Sequence, residues 1–209
     1  ITKKLFFISN TGAKVGKRKH LNQVESLISK STVISFKSIQ IIVKNHQYTM
    51  QLIRTLIKKE KLEILTKGYY TTHDDISLAV FCFQPAYLGL QDALSYHGMW
   101  EQETIPIIIT TKRIRTGLRR VMGNNVLIRR IDKKYFWGVE HQEQNHFALP
   151  YSDLEKTFLD MVYFNEKTNK ETLNEIIKKM DKKKLSYYLK VYPKKFQEKI
   201  KHHLTPKHL

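Results

Sequence analysis

The first part of the chain takes its fold from a series of helix-forming and strand-forming runs in residues 35–72, SFKSIQIIVKNHQYTMQLIRTLIKKEKLEILTKGYYTT. Ser35 is a favourable N-cap, and the apolar side chains after it recur at helical spacing, which predicts a short helix. A polar turn at residues 44–46 separates this helix from a longer one expected over about residues 47–59. The stretch therefore begins as two consecutive helices joined by a tight turn.

The helix expected over residues 47–59 divides its side chains between two faces. The apolar face carries Met50, Ile53, Leu56 and Ile57. The polar face carries Gln47, Gln51, Arg54 and Lys58. Arginine pairs with guanine, glutamine pairs with adenine, and lysine neutralises phosphate. The polar face therefore has the side chains that a DNA-reading helix needs.

Two strand-like runs follow at residues 62–65 and 69–72, around the turn Thr66-Lys67-Gly68. Gly68 suits this turn because glycine adopts a positive φ without strain. A further short helix is expected near residues 21–28. Three helices followed by a hairpin is the order of a winged helix-turn-helix, whose third helix enters the major groove of DNA.

The segment before these elements is basic and contains glycine. Asn22 followed by Glu25 has capping-box spacing, which predicts that the first helix begins there. Residues 11–20 are interpreted as a basic loop or arm that contacts DNA phosphates, with an unstructured leader as the alternative.

The predicted DNA-binding set combines this arm with the polar helix face and two lysines beside it. Lys37 and Lys67 are expected to contact the sugar-phosphate backbone of DNA. The complete set is Lys17, Arg18, Lys19, Lys37, Gln47, Tyr48, Gln51, Arg54, Lys58 and Lys67. The alternative is a small helical domain whose charged face is merely solvated.

The charge balance of the 209 residues favours a polyanionic partner. Lys and Arg number 37 against 19 Asp and Glu, a formal net charge of +18. Residues 1–72 carry +11, residues 73–152 carry +1, residues 153–165 carry −2 and residues 166–209 carry +8. A polyanion is either nucleic acid or an anionic membrane surface. No apolar run approaches the roughly 18 residues of a membrane span, so a soluble protein with no membrane partner is expected.

Cysteine usage narrows the chemistry further. The single Cys82 excludes an intramolecular disulfide framework and a multi-cysteine zinc site, and it fits the reducing cytoplasm.

A polar stretch around His73 marks the expected domain junction, with a winged helix-turn-helix at residues 1–72 and a mixed α+β domain with a lysine-rich helical tail at 73–209. In the second domain, strands are expected at 76–83, 105–111, 126–131, 135–139 and 147–149. A helix is expected at 87–97, closed by Gly98. A second helix is expected to begin at a capping box formed by Ser152 and Glu155. Three more helices are expected at 171–180, 183–191 and 194–204. Apolar faces of the last helices should pack onto the body, through Leu185, Leu189, Phe196, Ile200 and Leu204.

Five segments carry a family resemblance: KLEILTKGYY at 61–70, PAYLGLQDALSYHG at 85–98, ITTKR at 109–113, YFWG at 135–138 and LPYSDLEKTFLD at 149–160. Their order and spacing resemble the AbiEi antitoxin family, the transcription-regulating half of type IV AbiE abortive-infection systems. The resemblance covers roughly residues 21–165.

This resemblance implies a cytoplasmic antitoxin that binds inverted repeats in its own promoter and represses its operon. It also implies a nucleotidyltransferase-like toxin as the functional partner, with or without direct contact, and a C-terminal domain that is needed for neutralisation.

Enzymatic motifs are weak. Asp92, Ser95 and His97 lie within six residues on one expected helix and lack the Gly-x-Ser-x-Gly elbow that exposes a nucleophile. His141 and His146, with Glu143 between them, are interpreted as parts of a solvated loop. We therefore expect a DNA-binding repressor and not an enzyme, with no metal and no cofactor. The alternative is a nucleic-acid-processing enzyme, such as a nuclease, whose winged domain delivers the substrate.

Overall fold

The computed structural model describes residues 11–144 and 147–204. The chain forms two compact units, Ile1–Asp74 and Asp75–Leu209. The elements of the first unit are α1 (Thr11–Lys30), β1 (Val33–Ser35), α2 (Phe36–Val43), α3 (His46–Lys58), β2 (Glu63–Thr66) and β3 (Tyr69–Thr71).

Local capping determines where α2 and α3 begin. The Ser35 hydroxyl accepts a hydrogen bond from the Ser38 backbone N–H at 3.0 Å, which confirms the predicted N-cap. Asn45 does the same for α3, because its Oδ1 accepts from the Tyr48 N–H at 2.8 Å. Each cap satisfies one of the N–H groups that the first helical turn leaves unpaired.

The three helices and the sheet enclose one apolar core. Its buried members are Val24, Ile34, Ile39, Val43, Leu52, Ile53, Leu56 and Leu62. The sheet is antiparallel with strand order β1-β3-β2. Gly68 has the expected positive φ of 81°, and its carbonyl accepts from the Phe36 N–H at 2.8 Å. The hairpin turn is thereby tied to the start of α2.

The first helix differs from the prediction. α1 begins at Thr11, so the interpretation of residues 11–20 as a loop is wrong, and Asn22 lies inside the helix instead of capping it. Glycines at 12 and 16 suggested a loop, but a glycine inside a helix costs only about 1 kcal/mol relative to alanine. The surrounding residues are good helix formers and outweigh that cost.

The second unit is mixed α+β, as expected. It opens with a 3₁₀ helix (Ile76–Phe83) and continues with β4 (Ala86–Leu88), α4 (Gln91–Tyr96), β5 (Ile107–Thr110), β6 (Gly117–Val121), β7 (Asn124–Arg130), a short 3₁₀ helix (Lys133–Tyr135), β8 (Val139–Gln144) and β9 (Phe147–Ser152). Four helices follow: α5 (Leu154–Tyr163), α6 (Lys170–Lys179), α7 (Lys182–Leu189) and α8 (Lys194–Leu204). The last three confirm the predicted helical tail.

Six strands of this unit form one sheet in the order β6-β7-β5-β4-β9-β8. The pairs β4–β9 and β5–β7 are parallel, and the other neighbours are antiparallel. α5 and the tail helices bury a common core against the sheet, which includes Leu185 and Ile200, with Leu189, Phe196 and Leu204 packed at its margin. The predicted packing of the tail onto the body is therefore confirmed.

Several strand and helix predictions here are wrong. The apolar run 76–83 is a buried 3₁₀ helix, since an uninterrupted apolar run does not distinguish a strand from a helix. The helix expected at 87–97 is divided into β4 and α4 by a turn in which Leu90 has a φ of 59°. Tyr135 lies in a 3₁₀ turn, and β6 was not predicted because arginines interrupt its apolar alternation.

The start of α5 also differs in detail. Asp153, and not Ser152, is the N-cap, and its Oδ1 accepts from the Lys156 N–H at 2.8 Å. The Ser152 hydroxyl is instead hydrogen-bonded to the Thr157 hydroxyl at 2.7 Å. Glu155 accepts from the Asp181 N–H at 2.7 Å and therefore connects α5 to the start of α7.

A buried ion pair lies at the centre of the second unit. Lys156 and Asp160, one turn apart on α5, are both fully buried, and the lysine ammonium donates to the carboxylate. The Tyr87 hydroxyl donates to the other carboxylate oxygen at 2.7 Å. The ammonium lies 5.4 Å from the centre of the Tyr87 ring and 5.2 Å from that of Trp137. Burial lowers the pKa of Lys156 and raises the pKa of Asp160.

We expect Lys156→Met to lower the free energy of unfolding by about 3–5 kcal/mol at pH 8, because it leaves a buried carboxylate with only Tyr87 as a donor. The loss should be smaller at pH 5. The raised pKa means that Asp160 holds its proton more tightly in the folded state, so the variant loses stability as pH rises through that pKa.

Urea denaturation followed by tryptophan fluorescence measures this effect, since Trp100 and Trp137 both belong to the second unit. Lys178→Met is the control, because it removes an exposed lysine from α6 and should change stability by less than about 0.5 kcal/mol. Equal stability of Lys156→Met and the wild type at pH 8 would show that the ion pair does not hold the core.

Candidate nucleic-acid interface

One side of α3 is buried, and the opposite side is exposed to solvent. Thr49, Leu52, Ile53 and Leu56 are the buried residues. Gln47, Gln51, Arg54 and Lys58 are all exposed. At 3.6 residues per turn these four lie within one sector of the helix surface. The structure thus brings together the four side chains that the polar pattern predicts to share a face.

The buried side of α3 differs from the predicted apolar face at both of its edges. Met50 is 37% exposed and Ile57 is half-buried, whereas Thr49 and Leu52 are in the core. The buried sector is therefore rotated relative to the predicted one. Thr49 can be buried because its hydroxyl donates to the Asn45 carbonyl at 2.7 Å, which satisfies a polar group that would otherwise be costly to bury.

Tyr48 lies apart from the exposed α3 face. It is half-buried and packs against the core of the first unit. Its position follows from helix geometry, since adjacent residues on a helix point about 100° apart.

A groove of about 760 Å³ lies beside the exposed face of α3. Three elements line it: α3, the start of α2 and the β2–β3 hairpin. Its cationic lining residues are Lys37, Arg54 and Lys67, and His46 also lines it. Its apolar and aromatic lining residues are Phe36, Met50, Ile53, Ile57, Ile64, Tyr69 and Tyr70. Two predicted lysines and the predicted arginine therefore surround one concave surface.

The cations of this face are not neutralised by neighbouring acids. Among the side chains that the structure describes between residues 20 and 74, the one ion pair joins Lys61 to Glu25 at 2.8 Å. Lys37, Arg54 and Lys67 form none within the described part of the chain. Their charge is therefore available to an anionic partner.

Lys17, Arg18 and Lys19 lie on α1, whose backbone is described. Their side chains fall outside the described residues, so the predicted contacts of this basic arm stay a prediction.

A second group of cations belongs to the other unit and was missed by counting charge over long segments. Nine basic residues lie between 112 and 134, against the single acid Asp132. They are Lys112, Arg113, Arg115, Arg119, Arg120, Arg129, Arg130, Lys133 and Lys134. Acidic residues elsewhere in residues 73–152 reduce the net charge of that segment to +1. Counting charge over shorter segments would have revealed the cluster.

Most of this cluster surrounds β6, an edge strand of the six-stranded sheet. Arg129 pairs with Glu166 at 2.7 Å, and it is the one member of the cluster for which the described residues provide an ion pair. The Arg119 guanidinium donates to the Arg115 carbonyl at 2.6 Å. The sheet edge therefore carries several exposed positive charges.

The residues that suggested hydrolase chemistry have other partners. The Asp92 carboxylate accepts from the Ile107 N–H at 3.2 Å, and burial raises its pKa to about 7. His97 Nε2 is 2.9 Å from the Ser152 carbonyl oxygen, whereas Ser95 is exposed. Gly98, with a φ of 68°, follows the helix as the sequence predicts.

The stretch interpreted as a solvated loop is strand β8 over Val139–Gln144, so that interpretation is wrong there. His141 and Glu143 are exposed on the strand, and His146 falls outside the described residues. Over residues 11–144 and 147–204, no group of three or more His, Cys, Asp or Glu side chains could hold a metal ion. In the same ranges, every helix is too short or too polar to cross a membrane.

Comparison with known proteins shows similarity to a solved structure and no match to a sequence family. No protein-family model matches the chain. No curated protein matches it. The Rv2827c protein from Mycobacterium tuberculosis has a similar crystal structure, with a TM-score of 0.58 and 12% sequence identity. The likeness covers 89% of this chain and 76% of that chain, and it supports the mixed α+β architecture.

We expect Asn45→Ala to destabilise the start of α3 by about 1 kcal/mol, because it removes the side-chain acceptor for the Tyr48 N–H. Hydrogen exchange measured by mass spectrometry on peptides from residues 46–58 should become several-fold faster. Asn45→Asp keeps an acceptor at the same place and should exchange like the wild type. If Asn45→Ala leaves exchange unchanged, this cap does not fix the helix start.

Proposed function

We propose that the first unit is a winged helix-turn-helix domain and that the protein is a sequence-specific repressor that binds double-stranded DNA. The observation that carries this proposal is the exposed face of α3 with Gln47, Gln51 and Arg54, bordered by Lys37 and Lys67. The order of helices and strands in this unit and its β1-β3-β2 sheet support it. In this domain type α3 enters the major groove and the β2–β3 hairpin is the wing.

Each exposed side chain has a role that follows from its chemistry. Arg54 donates two hydrogen bonds to guanine O6 and N7, and the two glutamines pair with adenine edges. Lys58 extends the same face toward a phosphate. Lys37 and Lys67 lie on separate elements and contact phosphates on the two sides of the helix, which fixes its register in the groove.

The resemblance to AbiEi antitoxins extends this proposal to the whole chain. The protein is then a cytoplasmic autorepressor and antitoxin that binds inverted repeats in its own promoter. It counteracts a nucleotidyltransferase-like toxin through residues 73–209, with or without direct contact. Residues 1–72 supply the DNA-binding function and the remainder supplies neutralisation.

Replacing Arg54 with Ala should weaken binding to the promoter duplex by about 5- to 150-fold, because one bidentate base contact is lost. The variant should also lose its preference at one base pair. Fluorescence anisotropy with a set of single-substituted duplexes measures both quantities. A variant that binds the promoter as tightly and as selectively as the wild type would contradict the placement of α3 in the major groove.

Lys67→Ala should weaken every duplex by the same factor, because a phosphate contact carries no sequence information. The slope of log K against log salt concentration should become shallower by about 0.9. Lys30→Ala provides the charge-matched control, since it removes an exposed cation that does not line the groove. A loss confined to one duplex sequence would show that Lys67 contacts a base.

Co-expression tests the antitoxin part of the proposal independently of DNA binding. If the neighbouring gene encodes a nucleotidyltransferase-like toxin, the full chain should restore growth of cells that express it. Arg54→Ala should restore growth equally well while losing repression of a promoter reporter. Failure of the wild type to restore growth would remove the antitoxin role, and cleavage of labelled DNA or RNA in the presence of Mg²⁺ would favour the nuclease alternative.

A further inference from the structure

Exposed apolar side chains lie beside Arg54 in the groove of the first unit. Met50, on α3, is 37% exposed, and Ile64, on β2, is 55% exposed. Both line the same concave surface as Arg54. These apolar groups therefore border the helix face that carries the base-reading side chains.

The charges around the groove restrict what can cover it. Lys37, Arg54 and Lys67 surround the apolar lining, and none of the three forms an ion pair with a side chain that the structure describes between residues 20 and 74. A second copy of the chain seated on this face would bring like charges together, which is unfavourable. A polyanion with an apolar group on its surface can pair with the cationic side chains of the groove and pack against its apolar side chains.

Duplex DNA has such a group. The major groove presents hydrogen-bonding edges for every base, and its one apolar group is the C5-methyl of thymine. Contact with an apolar side chain removes that methyl from water, which favours thymine over bases that present polar groups at the same position.

We propose that the methyl group of a thymine packs against Met50 and Ile64, so that this groove selects an A·T base pair one or two positions from the base pair read by Arg54. This inference rests on the proposed DNA-binding function. Met50 and Arg54 are four residues apart, about 6 Å along the helix axis, and base pairs are stacked about 3.4 Å apart. The selected thymine therefore lies one or two base pairs from the guanine.

Deoxyuridine tests this inference, because it pairs like thymidine and lacks the methyl group. A preferred duplex is first selected from a random library with the full-length protein. Each thymine near the Arg54-dependent guanine is then replaced by deoxyuridine. One or two replacements should weaken binding by about three- to tenfold, as expected for loss of one buried methyl.

Three variants separate the methyl contact from other effects. The replacement should have a smaller effect on binding by Met50→Ala or by Ile64→Ala, because each variant lacks part of the apolar surface that the methyl group contacts. Ile41→Ala is the matched control, because Ile41 is 74% exposed on α2 and does not line the groove, and it should keep the full effect of the methyl group. All three side chains are exposed, and circular dichroism should show an unchanged fold.

Each other outcome has a definite meaning. Selective binding with no effect of deoxyuridine at any position overturns this inference and leaves the DNA-binding proposal intact. A change in oligomeric state for Met50→Ala, measured by light scattering, with no deoxyuridine effect in the wild type overturns it in favour of an interface between copies. Failure to select any duplex overturns the DNA-binding proposal itself and this inference with it.

Discussion

The packing of α3 against the core of the first unit determines the rest of the candidate interface. Leu52, Ile53 and Leu56 are each no more than 6% exposed, so the rotation of the helix about its axis is fixed. Since buried apolar area is lost if the helix turns, Gln51 and Arg54 are held on the solvent side. The Asn45 cap sets where the helix starts, and the Gly68 carbonyl, which accepts from Phe36, sets where the hairpin turn lies.

The acidic residues explain why the positive charge is found at the surface. Four aspartates are used as caps at helix starts: Asp75, Asp132, Asp153 and Asp181. Other carboxylates are paired with cations or buried, as Glu25, Glu166 and Asp160 show. Many of the 19 acids therefore hold the fold together, whereas the cations of α3, the hairpin and β6 are left exposed. Exposed positive charge therefore remains on surfaces that an anionic partner can reach.

The parts of the fold with strong local signals could be predicted from the sequence. The Ser35 cap, the Gly68 turn, the exposed face of α3 and the three tail helices follow from patterns within a few residues. Other parts depend on partners distant in the chain. β1 has three residues and exists because it pairs with β3, and Asp153 replaces Ser152 as a cap because the Ser152 hydroxyl is bound by Thr157. The exposure of Met50 depends on which side of α3 the core covers. Helical periodicity alone predicted a buried side that is rotated about the helix axis relative to the one in the structure.

Hydrogen exchange of the full chain, with and without a selected DNA duplex, measures whether α3 and the β2–β3 hairpin contact DNA. If α3 and the hairpin form the DNA-binding surface, the duplex should slow exchange in peptides from residues 46–58 and 63–71. A random duplex of equal length at the same salt concentration should protect these peptides less. Protection confined to residues 112–134 or 170–204, with α3 unchanged, would contradict the claim that α3 is the reading helix.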